Sequence, residues 1–203
     1  MLKIAVLISG GGSNLQAIID KIKQGYINAK IEAVISDRIG AYGIERAKNE
    51  NIPAYELNRK ELKGNLSNEI LKLIDGKVDL IVLAGFLSIL QGEILEKFKN
   101  RIINIHPSLM PSFCGAGMYG IKVHEKAIEY GVKVSGCTVH FVDEGIDTGT
   151  IIFQNSVPVY ESDIAEDLQA RVLVEEHKIL PKAVKLISEG KLKYNNRKVI
   201  VEE

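Results

Sequence analysis

The chain has 203 residues, 46% hydrophobic and 26% charged, the make-up of one globular domain with a sizeable core rather than of a disordered segment. Lysine plus arginine and aspartate plus glutamate number 26 each, so the formal net charge is zero and no global basic excess argues for nucleic acid. A local basic pocket stays open, because net charge says nothing about distribution.

The first run, KIAVLIS (3–9), has one lysine in front and meets glycines in place of a small-residue cleavage site. It reads as a buried strand, not a signal peptide. SGGGSN (9–14) follows, then SNLQAIIDKIKQG, with Leu15, Ile18, Ile19 and Ile22 at helical spacing. AKIEAVISD (29–37) is a second strand, GIERAKNEN a short helix, IPAYEL a short strand, and 66–73 helical again. VDLIVLAGF (78–86) is nearly all apolar, as a central parallel strand covered on both faces requires. GEILEKFKN is a helix and RIINIH the next strand.

The second half is less regular. A long loop runs from Pro107 to about Lys122, then a helix around His124 to Tyr130, a strand VSGCTVHFV, a loop DEGIDTG and a strand IIFQNSVPV. Asp163 is expected to cap a long helix, with Glu166 completing a capping box, and Pro181 to kink or split it. KLKYNNRKVIVEE predicts a hairpin turning at Asn195 and Asn196. Strands alternating with helices predict an α/β fold: a doubly wound, mostly parallel Rossmann-like sheet with an irregular, partly antiparallel C-terminal half. No repeat or linker breaks the chain, so a single domain over 1–203 is expected. No apolar stretch is long enough to span a bilayer. Cys114 and Cys137 form no CxxC or Cys/His cluster, so two reduced thiols in a cytoplasmic protein, with no metal site, are expected.

Two segments carry chemistry. In SGGGSN, glycines let the backbone approach a ligand, and the helix N-terminus behind them offers N–H groups and a positive dipole end to a phosphate. Ser13 and Asn14 add donors, or one of them caps the helix. A tight turn with a cap would look the same. The loop is not a dinucleotide fingerprint, since residue 15 is leucine, and no Gly-Lys-Ser/Thr makes it a Walker A loop. Its shortness favours a phosphomonoester such as a sugar phosphate.

In NRIINIHPSLMPSF (100–113), alternation puts Asn104 and His106 on one strand face. Pro107 keeps the residue before it extended, which holds the imidazole on a stiff backbone. A proton-carrying histidine beside a neutral amide donor suits acyl transfer: one handles the proton, the other a tetrahedral oxyanion. A hydrogen-bonded histidine at a strand end is an equal alternative on these residues alone. A carboxylate would raise the His106 pKa by favouring the imidazolium. Asp143, Glu144 and Asp147 in DEGIDTG are all candidates. His140 reads as a supporting histidine, and His124 and His177 as surface or core residues.

Together, ISGGGSNLQAI, LAGFLSIL, NIHPSLMP and VHFVDEGIDTG, in this order and spacing, closely resemble the phosphoribosylglycinamide formyltransferases, over essentially the whole chain. The resemblance implies formyl transfer from 10-formyltetrahydrofolate to glycinamide ribonucleotide in purine synthesis. It implies Asn104, His106 and Asp147 as the catalytic trio, with His106 made more basic by Asp147. It implies Gly12, Ser13 and Asn14 for the ribose phosphate, and Glu176 near the glycinamide part. Leu87, Ser88, Ile89 and Leu90 would line the folate pocket, and Asp143, Glu144, Gly145, Ile146 and Asp147 would close over it. Lys63 stands for an arginine at the folate tail, keeping charge but losing the bidentate fork. Ser88 departs from the arginine many members carry, and SFCGAGMYGIKVH is longer than the common loop. Both substrates are small molecules, with no nucleic acid and no membrane, and the implied state is monomer or homodimer. A methionyl-tRNA formyltransferase is expected to need an additional C-terminal domain, and a formyltetrahydrofolate hydrolase an N-terminal regulatory one. The rival of another class is a non-catalytic sugar-phosphate-binding module. The missing fingerprint disfavours a dehydrogenase.

Overall fold

A computed structural model describes residues 1–195 and 197–202, and the chain divides into two units, Met1–Asn104 and Ile105–Glu203. In the first unit every expected strand forms: β1 (Leu2–Ile8), β2 (Ala29–Ser36), β3 (Ala54–Glu56), β4 (Leu80–Leu83) and β5 (Ile102–His106), the last running into the second unit. All pair in parallel, in the order β3-β2-β1-β4-β5. Parallel strands need crossovers, and α1 (Ser13–Lys23), α2 (Tyr42–Asn49), α3 (Arg59–Leu62), α4 (Leu66–Ile74) and α5 (Glu93–Lys97) lie in them. Ile4, Leu7, Ile8, Val82 and Ile103 are fully buried, as are Leu15 and Ile18 of α1. Each such side chain contributes roughly 1.5–3 kcal/mol on leaving water.

The run VDLIVLAGF is shorter as a strand than expected. β4 stops at Leu83, because Gly85 takes a positive φ of 75° and turns the chain away. That turn creates the 84–91 segment on which part of the candidate site depends.

The second unit contains α6 (Ile121–Tyr130), β6 (Val134–Phe141), β7 (Ile151–Pro158), α7 (Ala165–Ser188), β8 (Leu192–Asn195) and β9 (Lys198–Val201). β6 and β7 pair antiparallel and α7 packs on both. The α/β class, mostly parallel with an antiparallel C-terminal half, is therefore what forms. β8 and β9 also pair antiparallel; Asn196, half of the expected turn, lies outside the described residues.

Two expectations for α7 need correction. The cap is Ile164, whose N–H donates to the Asp167 carboxylate at 3.2 Å, one position later than Asp163 and Glu166. Asp163 is engaged elsewhere. It accepts the Tyr160 N–H at 2.8 Å and a bidentate fork from Arg171 at 2.7 and 2.8 Å. The Arg171 fork holds the Asp163 carboxyl at about 2, well below its ordinary range. Pro181 does not split α7, which runs on through it to Ser188.

Candidate active site

The histidine at the end of β5 is 4% exposed, and its surroundings are built by two loops of the second unit. The loop after β5 is pinned to the antiparallel pair. Thr138 Oγ1 donates to the Ser108 carbonyl at 2.6 Å and accepts the Met110 N–H at 3.1 Å. Gln154 Nε2 donates to the Met110 carbonyl at 2.9 Å. The loop then turns through Phe113, whose φ of 49° is unusual for an aromatic residue, and whose ring meets Tyr130 edge-on at 5.9 Å. This turn aims the Phe113 carbonyl at His106 Nε2, 2.9 Å away. The course of 111–122, which the sequence left open, is thus a pinned loop leading into α6.

The second loop, 142–150, supplies the acid. Asp143 Oδ1 accepts the Gly145 N–H at 3.1 Å and the Thr148 hydroxyl at 2.5 Å, closing the loop on itself. Gly149 lies so close to the Phe141 carbonyl that a Cβ would overlap it. Asp147, with φ 54°, points back inward from this closed turn. Asp and Asn are the side chains that best tolerate such a backbone. Asp147 Oδ2 lies 3.5 Å from His106 Nδ1 and accepts the Gly115 N–H at 3.0 Å; Oδ1 lies 3.6 Å from His140 Nε2. Of the three candidate acids, the fold therefore puts Asp147 beside the histidine. Asp143 closes the loop, and Glu144 is exposed, as are Gly145 and Ile146.

The electrostatics run partly against expectation. Burial pushes the His106 pKa down, and outweighs the Asp147 charge and the Phe113 carbonyl, which push it up. Asp147 does make His106 more basic than it would otherwise be, but the net direction is below an ordinary imidazole. For Asp147, burial raises the pKa. The adjacent His140 ring, the His106 charge and the Gly115 N–H together overcome it and bring the carboxyl below its ordinary range. His124, 1% exposed on α6, is pushed down to about 4 by burial and by the charge on His106. Glu176 is buried on α7, and burial, with Glu176 and Glu175 adding, pushes the Cys137 thiol up to about 12.

In the first unit, Asn104 is half-buried on β5, paired with Leu83 of β4. It shares a strand face with His106 two residues on, as alternation requires. The glycine loop ends in Gly12, left-handed at φ 70°, directly before α1; Ser13 is half-buried and Asn14 buried. The neighbouring 84–91 segment is tied to the end of β1 by the Leu87 N–H donating to Ser9 Oγ at 2.8 Å. Leu90 is buried and Ile89 exposed. A cleft of about 470 Å³ is lined by Leu87, Ser88 and Ile89 together with Arg59, Lys60 and Lys63. Lys63, expected at a folate tail, thus shares a cleft with the expected folate segment.

Sequence reading missed what supports this cleft. Asp37, wholly buried at the end of β2, accepts the Ser88 hydroxyl at 2.6 Å and the Arg59 guanidinium at 3.3 Å. Its carbonyl also accepts the Arg59 N–H at 3.2 Å. A lone acid ending an apolar strand was the available signal. Among the described residues no cluster of His, Cys, Asp or Glu has the make-up to hold a metal ion. No helix among them is long and apolar enough to cross a membrane.

Residues 2–184 match the formyl transferase family. The chain is 43% identical to a phosphoribosylglycinamide formyltransferase of Haemophilus influenzae, over 95% of this chain and 90% of that protein. It is also 43% identical, over 93% of its length, to the human trifunctional purine biosynthetic protein adenosine-3, of which it spans only 18%. A crystal structure of glycinamide ribonucleotide transformylase 1 from Symbiobacterium toebii superposes with a TM-score of 0.93 at 44% identity, covering 100% of this chain and 95% of that one.

Proposed function

The chain belongs to the formyl transferase family, and from that premise we propose that it transfers a formyl group from 10-formyltetrahydrofolate to the amine of glycinamide ribonucleotide. The products are the N-formyl amide and tetrahydrofolate, a step of purine synthesis. The observation that carries the reading is the buried His106, with Asp147 at 3.5 Å from Nδ1, in a chain matched to this family almost end to end.

In this reading the substrate amine attacks the formyl carbon. A C–N bond forms, and the carbonyl oxygen takes the negative charge of a tetrahedral intermediate. The Asn104 amide donates to that oxyanion, a preorganised donor where charge develops. His106 accepts the proton the amine loses and returns it to the folate nitrogen as that C–N bond breaks. For this Nε2 must exchange the Phe113 carbonyl for substrate, while Nδ1 faces Asp147, which holds the ring and offsets the imidazolium charge. The depressed pKa of His106 favours the role, because the ring is neutral and ready to accept a proton at neutral pH.

We assign the ribose phosphate to Gly12, Ser13 and Asn14 and the glycinamide part to Glu176. Folate falls to Lys63, Leu87, Ser88, Ile89, Leu90 and the 143–147 loop. Both units act as a single formyl transferase domain, a reading supported by the family match running through 2–184. We further place the protein in the cytoplasm, working as a monomer or homodimer on small-molecule substrates. The test is turnover by the purified protein, followed by folate absorbance. Turnover with both substrates is expected. None with glycinamide ribonucleotide, alongside turnover with water or another amine, would overturn the reading.

A further inference from the structure

The glycine loop is tied to α2 by one backbone hydrogen bond and one side chain. The Gly10 carbonyl accepts the Gly43 N–H at 3.0 Å. The Gly11 carbonyl accepts Arg46 Nε–H at 2.8 Å. Arg46 is itself fixed: Nη1 donates to Gln16 Oε1 on α1 at 3.1 Å, and the guanidinium lies over the Tyr42 ring at 4.9 Å. A trans peptide points its C=O and the following N–H in opposite directions. Drawing the Gly10 and Gly11 carbonyls toward α2 therefore turns the Gly11 and Gly12 N–H groups away from it. They join the first-turn N–H groups of α1, which have no partner within the helix. Successive N–H groups in such a turn make an anion-binding concavity.

The approach of α2 is as close as backbone allows. A Cβ on Gly12 would lie 2.7 Å from Gly43 Cα, and a Cβ on Gly43 would overlap Ile8 Cδ1. Two glycines meet here because nothing larger fits, and Arg46, one turn along α2, reaches the loop as a result.

We propose that Arg46 is the positioning residue of the phosphate loop. It touches no substrate, but its fork on Gly11 and Gln16 fixes the peptide orientation that binds the phosphomonoester. The inference rests on the proposed assignment of the ribose phosphate to Gly12, Ser13 and Asn14. It predicts an effect on the phosphorylated substrate alone. Arg46→Met, keeping the stem and losing the guanidinium, raises KM for the ribonucleotide about tenfold, the scale of one charge-assisted hydrogen bond. kcat stays within about twofold, KM for the formyl donor does not move, and kcat/KM for the dephosphorylated amine is unchanged. Arg46→Lys behaves like Arg46→Met, because an ammonium cannot span both acceptors. Gln16→Ala, on the half-exposed face of α1 and safe for folding, shows the same selective effect at about threefold.

Ribose 5-phosphate binding by calorimetry is the parallel readout. Weaker binding in step with KM supports the inference. Equal binding by wild type and variants overturns it, as does full recovery in Arg46→Lys, which would make the role one of charge alone. If wild type itself binds no ribose 5-phosphate, the phosphate assignment falls, and the inference with it.

Discussion

The two units differ in the kind of group they bring to a ligand. Unit 1 has backbone N–H groups at the glycine loop and basic side chains at the cleft: Arg59, Lys60 and Lys63. It contains none of the four histidines. His106, His124, His140 and His177 all lie in unit 2, with both cysteines and the closed loop that aims Asp147. Only histidine among ordinary side chains changes charge between about pH 5 and 8. In the proposed reading the ribose phosphate falls to unit 1, while unit 2 carries the groups that change charge in that range, beside its own proposed binding residues Glu176 and 143–147. Under that reading phosphate binding and proton transfer fall to different residues, so they can be broken separately.

The sharpest break is His106→Ala. Removing a general acid–base group is expected to lower kcat by about a thousandfold. Ribose 5-phosphate, assigned to Gly12, Ser13 and Asn14 of unit 1, should bind as to wild type. A wild-type rate would remove the histidine from the chemistry, and lost phosphate binding would mean the division of labour is false.

The next largest effect is on stability. His124 has a folded pKa of about 4, against about 6.5 for an unfolded histidine. Above 6.5 it is neutral in both states and contributes nothing. As pH falls from 6.5 to 4 the unfolded chain takes the proton first, so stability is lost over that window, by up to about 3 kcal/mol, and the loss levels off below 4. His106 and His177 are depressed by burial too and act in the same direction. His124→Gln should flatten the urea-denaturation stability curve between pH 6.5 and 4. An unchanged slope would show that acid sensitivity originates elsewhere.

The same contrast governs what could be read in advance. Unit 1 follows local rules: apolar runs for parallel strands, 3.6-residue spacing in α1, a glycine turn before its first helix. Its element order was legible, and the main miss was the length of β4, decided by one positive-φ glycine. What stayed hidden were links across sequence. The Asp37–Ser88 hydrogen bond spans 51 residues and the Arg46–Gly11 bond 35, and no pattern in a linear string announces either. In unit 2 even short-range contacts decided outcomes that no pattern announces. Asp147 could not be told from Asp143 or Glu144 because the choice depends on Asp143 bonding Thr148 and on Gly149 fitting beneath the Phe141 carbonyl. The helix cap moved from Asp163 to Ile164 because Arg171, eight residues on, competed for the carboxylate. The Asn104 and His106 pairing was legible, since strand alternation is local.

Asp147→Asn probes the link inside unit 2 more finely. The carboxylate charge raises the His106 pKa, though burial wins overall. Without that charge the pKa falls further. In the proposed mechanism neutral His106 is the base, so the acid limb of kcat/KM should move to lower pH while its plateau drops about a hundredfold. In wild type that limb already belongs below the ordinary imidazole value of about 6.5. A limb shifting upward would mean Asp147 does not act through His106.

The smallest effect returns to unit 1. Lys63 is exposed at the cleft shared by Arg59, Lys60, Leu87, Ser88 and Ile89. An exposed cation facing a carboxylate contributes at most about 1 kcal/mol, so Lys63→Ala should raise KM for the folate by no more than about fivefold. Two cations remain in the cleft after the change, which softens the loss. Buried Asp37 keeps Arg59 in place through both its carboxylate and its carbonyl, so Arg59 does not relax into the vacated space. The increment should shrink with added salt, as screening of exposed charges demands. An increment that survives high salt would mean that Lys63 does not act on the folate as an exposed charge.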